Sequence, residues 1–428
     1  MKLNLGLVLY YTKANRYSFN ALVGAIEARE QFDTLKIYFF EGESQLLSGL
    51  HSVLDAHEKV VVGFSICTPQ LWEISRTVKL LPAEYRDRLV LVAGGPHPTG
   101  DPLGVLRIGF DVVVRGEGEE TLLELLERIG RNEDWRAVKG IAFLDGTGRC
   151  MFTGQRAWVD LDNYPPFAVK HSRVGHIEIT RGCPFGCGFC QTPHIFGGRP
   201  RHRSVHAITK YVRILKEKGL TDIRFITPNA FGYGSPDGRR LALAKLEELL
   251  QGVREVIGIH GRLFFGTFPS EVRPEHVSPE TVALVLRYAD NDNLIIGAQS
   301  GSQRLLDLCR RGHRVEDVYR AVELTLEAGL EANVDFIFGL PGETEDDVVL
   351  TVELMKNLVR MGARIHAHTF MPLPQSCFSE APAGRVGKEL RKIISELASH
   401  GLAYGEWEEQ ERLGDKIAAY FRTGRLDV

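Results

Sequence analysis

Short apolar runs at residues 3–10, 35–40, 60–66, 89–93 and 111–114 are separated by longer stretches in which apolar side chains recur every three or four positions. Runs of this length without strict alternation fit strands buried on both faces, and the helical stretches between them make the sheet parallel. A doubly wound, Rossmann- or flavodoxin-like α/β domain is expected. Residues 140–151 then read as a hairpin turning at Asp145 and Gly146. A connector follows to Tyr164, Pro165 and Pro166, because two prolines bar both a helix and a central strand.

A second alternation has strands at 176–180, 223–227, 263–267, 294–299, 334–338 and 365–370. Six β/α units predict a partial TIM-like barrel whose chemistry sits at the strand C-terminal ends. After Pro374 the pattern turns helical and charged, with helices expected at 388–402 and 410–423. The expected boundaries are 1–155 for the first domain, 156–172 for a linker, 173–375 for the barrel and 376–428 for a helical extension.

Composition narrows the setting. With 428 residues there is room for two large cores. The 52 Lys and Arg against 55 Asp and Glu give a net charge of −3, so no general affinity for nucleic acid is expected. No apolar run nears the roughly 20 residues that span a bilayer, and the first residues lack a secretory leader, so a cytoplasmic protein is expected. Seven cysteines, three of them packed between 183 and 190, fit a metal site in a reducing compartment better than a disulfide framework.

Those three, Cys183, Cys187 and Cys190, stand in a Cys-x3-Cys-x2-Cys loop with glycines at 186 and 188. A thiolate triad holds three irons of a cubane only if the backbone wraps it, and a loop with small residues does so. The fourth iron is then open to the amino and carboxylate groups of S-adenosylmethionine (SAM). A zinc knuckle is the alternative, but it needs a fourth ligand, for which only His194 is nearby.

The spacing resembles the signature of the radical SAM superfamily. The resemblance extends to Gly266–Glu271 (GTFPSE), Ile296–Gly301 (IGAQSG) and Asp335–Gly342 (DFIFGLPG), each closing an expected strand. It implies that Phe189 packs on the adenine and that Thr227 and Asn229 lie near the methionyl amine. By the same resemblance Ser270, Glu271, Gln299 and Ser300 contact ribose or carboxylate.

In the first domain the ligand loops should follow the strand ends. Val62 to Ser65, Gly94-Gly95-Pro96-His97 and Gly116-Glu117-Gly118-Glu119 resemble the cobalamin-binding domain of cobalamin-dependent radical SAM enzymes. The lower-ligand motif Asp-x-His-x-x-Gly is missing. Asp55 and His57 mimic it without the glycine and are read as helix-end polar groups. Cobalamin is therefore expected base-off, with Cys67, Thr68, Pro69 and Gln70 facing the lower side of the cobalt. Tyr10, Tyr11, Asn15, Arg16, Tyr17 and Asn20 crowd the first loop as candidate borders of cobalamin or substrate. Arg199, Arg201 and Arg203 read either as an anion-binding turn or as a solvated one. Cys67, Cys150, Cys309 and Cys377 share no metal spacing.

What the resemblance implies is a C-methyltransferase using a [4Fe-4S] cluster, SAM and cobalamin. It would act on an unactivated carbon through methylcobalamin and a 5′-deoxyadenosyl radical, with an external electron donor such as ferredoxin or flavodoxin. The stretch Tyr10 to Leu22 resembles an archaeal group whose members include the methyltransferase of a glutamine Cα in methyl-coenzyme M reductase, which implies a peptide or protein substrate. The same cofactors also serve cyclisation or ring contraction, and a cobalamin sensor or carrier is the non-enzymatic alternative. A methylthiotransferase is disfavoured, since the first domain should then supply a second cysteine cluster and offers only Cys67 and Cys150. At Gln375 the chain departs from the Pro-Leu-Pro-Gly-Thr continuation of related proteins.

Overall fold

The computed structural model describes residues 4–426, and its contacts divide the chain into two compact units, 1–175 with 424–428, and 176–423. Leu3, placed in the first strand by its apolar neighbours, lies outside the described residues.

In the first unit the described strands are β1 (Leu5–Tyr10), β2 (Lys36–Phe40), β3 (Lys59–Ser65), β4 (Leu89–Gly94), β5 (Val112–Val114), β6 (Ile141–Leu144) and β7 (Cys150–Phe152). They form one sheet in the order β2-β1-β3-β4-β5-β6-β7, parallel through β5 and antiparallel in the β6–β7 hairpin. Every residue of β1 is buried, as a strand covered by helices on both faces requires. The order 2-1-3-4-5 is flavodoxin-like and puts its topological switch point between β1 and β3.

Residues 156–172 differ from a free linker. Val159, Leu161, Tyr164 and Ala168 are buried in the core of the first unit. The Val159 amide donates to the Glu117 carboxylate at 2.7 Å, and the apolar side chains flanking Pro165 and Pro166 are packing signals rather than linker composition.

The second unit opens with β8 (Ile177–Glu178) and β9 (Thr180–Arg181), one expected strand split at Ile179, and β9 pairs antiparallel with β10 (Arg201–His202). Then come β11 (Asp222–Ile226), β12 (Arg262–Phe264), β13 (Asn293–Gln299), β14 (Glu331–Phe338), β15 (Arg364–Thr369) and β16 (Ala403–Tyr404). The parallel series β8-β11-β12 continues into β13-β14-β15-β16 through a single bridge, Val272 to Ile296, and backbone bonds from Ile295 to Gly266 and from Val272 to Ile295. The result is an open parallel barrel with helices outside.

The segment 376–428 is not only a helical appendage. It adds β16 as a parallel seventh strand beside β15 and then helix Trp407–Thr423. That helix packs against β15, where the Thr369 hydroxyl donates to the Trp407 carbonyl at 2.8 Å. A two-residue strand lies below what periodicity detects.

Candidate active site

In the first unit the loops after β1 and β3 close the switch-point crevice. The Asn15 amide donates to the Tyr10 carbonyl at 2.9 Å and to the Ser65 carbonyl at 3.2 Å, tying the two strand ends together. Gln70 accepts from the Cys67 amide at 3.1 Å and donates to the Thr12 hydroxyl at 3.3 Å. Gly95 adopts φ of 100°, and a Cβ there would stand 2.9 Å from the Ile66 amide nitrogen, so this β4 loop tolerates only glycine against the β3 loop. His97 is fully buried beside Thr68, Nδ1 to Oγ1 at 3.1 Å, and burial holds it down to about 4 and therefore neutral. Thr99 accepts from the Gly116 amide at 3.1 Å and so joins the loops after β4 and β5.

Ser65, Thr68, Gln70, Gly94, Gly95, Pro96, His97 and Gly116 thus surround one end of one sheet. Glu117 departs from expectation, because its carboxylate accepts from the Val159 amide. Glu119 is buried in the first turn of helix Glu119–Gly130, and Gly118 packs against Leu22. His57 sits at the opposite, N-terminal edge of the strands, hydrogen-bonded to the Tyr38 hydroxyl at 2.9 Å, and burial lowers its basicity. The helix-end reading of His57 fits this placement. Tyr10 donates to Glu73, and burial pushes its phenol well above the usual range, so it is a scaffold group.

In the second unit the cysteine loop leaves β9 at the C-terminal mouth of the barrel. Gly188 donates to the Cys309 carbonyl at 2.9 Å and accepts from the Phe378 amide at 3.0 Å, and Cys183 donates to the Gly197 carbonyl at 3.1 Å. These bonds wrap the loop. Burial pushes the Cys183 thiol up to about 11 and raises Cys190 as well. Iron binding therefore displaces thiol protons. His194, the fourth ligand a zinc knuckle would need, instead faces Cys377 Sγ at 3.8 Å. The donor set that remains in the loop is three thiols, which fits a cubane with one open iron.

Below the loop lies a cavity of about 250 Å3, lined among others by Phe189, Glu271, Gln299, Asp335, His368 and Gln410. A Cβ on Gly297 would meet Glu271 Oε2 at 2.6 Å, Gln299 Nε2 at 2.8 Å and Arg311 Nη2 at 3.0 Å, so three polar groups converge on one bare backbone position. Gln299 reaches it from a left-handed backbone, φ 74°, at an irregularity in the β13–β14 register. Glu271 Oε2 is buried and accepts no hydrogen bond from the protein. Burial and the neighbouring Asp335 push Glu271 up to about 7.

The other expected SAM contacts are placed differently. Ser270 donates to the Phe225 carbonyl at 2.7 Å, and Ser300 contacts Thr351 at 3.2 Å and accepts from the Ser302 amide at 3.1 Å. Asn229 is held between His276 at 2.7 Å and the Arg273 amide at 3.3 Å, and the Thr227 hydroxyl donates to the Asn229 carbonyl. These side chains brace the strand ends instead of opening onto the cavity. Arg201 and Arg203 likewise cap backbone carbonyls, of Phe196 and Glu178.

Sequence reasoning missed Arg311, whose guanidinium donates to Cys187 Sγ at 3.6 Å and to the Gly297 carbonyl at 2.6 Å. It also missed the pair His366 and His368. Their i, i+2 spacing in Arg-Ile-His-Ala-His-Thr was the available signal, since alternate residues of a strand share a face.

Residues 177–355 match the radical SAM superfamily, and residues 41–126 match the B12 binding domain. The chain carries a B12-binding domain followed by a radical SAM domain. Its cofactors are a [4Fe-4S] cluster, SAM and cobalamin. This enzyme is similar to an uncharacterized protein of Methanopyrus kandleri, 28% identical over 87% of this chain and 76% of that one. It is also similar to an uncharacterized methyltransferase of Pyrococcus horikoshii, 26% identical over 77% of this chain and 71% of that one. Its fold is that of the radical SAM methyltransferase TsrM from Kitasatospora setae, solved with cobalamin and a [4Fe-4S] cluster, with a TM-score of 0.70 over 89% of this chain and 75% of that one at 17% identity. No helix among the described residues is long and apolar enough to cross a membrane.

Proposed function

We propose that this enzyme is a C-methyltransferase that places a methyl group on an unactivated carbon. The observation that carries the reading is that one chain joins a three-thiol loop, open onto a cavity with Glu271 and Gln299, to a B12-binding sheet. When bound, the cluster supplies the electron that opens SAM to a carbon radical, and cobalamin supplies the methyl group.

In this reading Cys183, Cys187 and Cys190 hold three irons, and Phe189, Glu271 and Gln299 orient SAM. Thr227, Asn229, Ser270 and Ser300 keep the strand ends in place. The loops bearing Ser65, Thr68, Gln70, Gly94 to His97 and Gly116 to Glu119 hold cobalamin, with Glu117 and Glu119 shaping the loop. Support comes from the methyltransferase name of the Pyrococcus relative and from the TsrM fold. The substrate we carry forward is a peptide or protein, with a glutamine of methyl-coenzyme M reductase as the specific candidate and ferredoxin or flavodoxin as electron donor.

A methylthiotransferase fits less well. Cys150 lies on β7 and Cys67 follows β3, four places apart in the sheet, or roughly 19 Å at the usual strand spacing. They cannot share a cluster. The deciding experiment is incubation with methyl-labelled SAM and peptide substrate under reducing conditions. Label on carbon in the product supports the proposal. Turnover without label in the product favours carbon-skeleton chemistry and refutes methylation.

A further inference from the structure

A second group of metal-binding side chains lies on the inner wall of the barrel, apart from the cysteine loop. Asp335 on β14 pairs in register with His366 on β15, and His368 follows on the same face. Asp335 Oδ1 stands 2.8 Å from His366 Nδ1, and His368 Nε2 stands 3.1 Å from that same nitrogen. One donor atom from each residue lies within 4.8 Å of the other two.

Counting protons shows that these contacts do not work as hydrogen bonds. Gln410 Oε1 accepts from the Thr369 amide at 2.8 Å, which turns the Gln410 NH2 toward His368 Nδ1 at 3.2 Å. With Nδ1 accepting from Gln410, the one proton of a neutral His368 imidazole sits on Nε2 and points at His366 Nδ1. An imidazole nitrogen offers one lone pair or one proton. If His366 Nδ1 accepts from His368, it has nothing to donate to the Asp335 carboxylate. If it donates to Asp335, two N–H groups face each other. A cation receiving three lone pairs removes the clash at His366 Nδ1 and moves the His368 proton to its other nitrogen.

We propose that Asp335, His366 and His368 form a three-ligand site for a divalent transition-metal ion. Two imidazoles and a carboxylate suit zinc, iron or cobalt. Tetrahedral coordination at about 2.0–2.2 Å puts ligand atoms roughly 3.3–3.6 Å apart, so the two short contacts need to open by about 0.2–0.8 Å. Asp335 and His368 both line the 250 Å3 cavity, so the remaining coordination positions face it. A substrate bearing an oxygen or nitrogen donor atom would fill them and be fixed there. Ligation through Nε2 leaves the His368 proton on Nδ1, opposite an amide that also donates, so Gln410 limits the affinity.

The test is equilibrium dialysis of the full chain, loaded with cluster and cobalamin under anaerobic conditions, against Zn2+, followed by metal analysis and zinc X-ray absorption. The expected result is one zinc per chain with nitrogen and oxygen scatterers and an imidazole outer shell. His368→Gln and His366→Gln should each weaken zinc binding at least about tenfold, with iron and cobalt contents unchanged. Gln410→Glu, by giving the Nδ1 proton an acceptor, should tighten it about tenfold. Equal zinc in wild type and both histidine variants, or sulfur in the zinc shell, overturns the proposal. Neither outcome depends on methyl transfer.

Discussion

Arg311 donates to the Cys187 sulfur at 3.6 Å, and its other nitrogen holds the Gly297 carbonyl at 2.6 Å. One buried cation therefore ties the cysteine loop to the irregular end of β13 and lies beside the Glu271 carboxylate. Arg311→Met removes a donor to the thiolate and leaves Glu271 without its counter-charge. The expected cost is roughly 3–5 kcal/mol of stability, as for other broken buried pairs. The cluster potential should also fall, because hydrogen bonds to cluster sulfurs raise it. Denaturant unfolding and a redox titration followed by electron paramagnetic resonance check the two effects.

Cys183→Ala, Cys187→Ala and Cys190→Ala each remove one of three thiols. Iron content should drop from about four per chain to below one. 5′-Deoxyadenosine formation should disappear with it. Cobalamin content should stay at the wild-type level, because the B12-binding sheet is a separate compact unit. Iron analysis and the cobalamin absorption spectrum read both.

Gly95→Ala forces a side chain into a left-handed backbone, 2.9 Å from the Ile66 amide nitrogen. The strain should cost about 1–3 kcal/mol. It should also displace the β4 loop and reduce retention of cobalamin on gel filtration. Gly146→Ala, on the hairpin tip where a Cβ meets nothing within 4 Å, is the matched control and should retain cobalamin fully.

Burial pushes the Glu343 carboxyl up to about 7 from the ordinary value of 4.5. The folded state binds this proton more tightly than the unfolded chain. Its contribution is complete below pH 4.5 and is lost as the pH rises through about 7, at a cost of up to roughly 3 kcal/mol. Glu343→Gln keeps an acceptor for the Gly339 amide and does not titrate. Unfolding free energies across this range should fall less steeply for the variant than for the wild type. Equal slopes would show that Glu343 is not the titrating group.

The legible parts of the sequence were those with local chemistry. Buried parallel strands leave apolar runs, and the cysteine spacing is a statement about one loop, so β1 to β5 and Cys183 to Cys190 were readable directly. Phe189, Glu271 and Gln299 line the cavity below the cysteine loop. For Ser270 and Ser300 a hydroxyl at a strand end serves backbone or ligand equally well, and their bonds to Phe225 and Thr351 are visible only in the structure. Arg311 and Gln410 were invisible because they reach their partners across long sequence separations, 124 residues to Cys187 for the one and 42 to His368 for the other. The core role of residues 156–172 was hidden by prolines, which mark irregular backbone and say nothing of burial.

The central claim is that radical formation and methyl donation occur in the same turnover. The most direct measurement counts both SAM products during methylation of a peptide substrate. The account predicts S-adenosylhomocysteine and 5′-deoxyadenosine in equal amounts, each matching the methylated product, with S-adenosylhomocysteine and the methylated product lost when cobalamin is withheld. 5′-Deoxyadenosine with product but without S-adenosylhomocysteine, or the reverse, would contradict it.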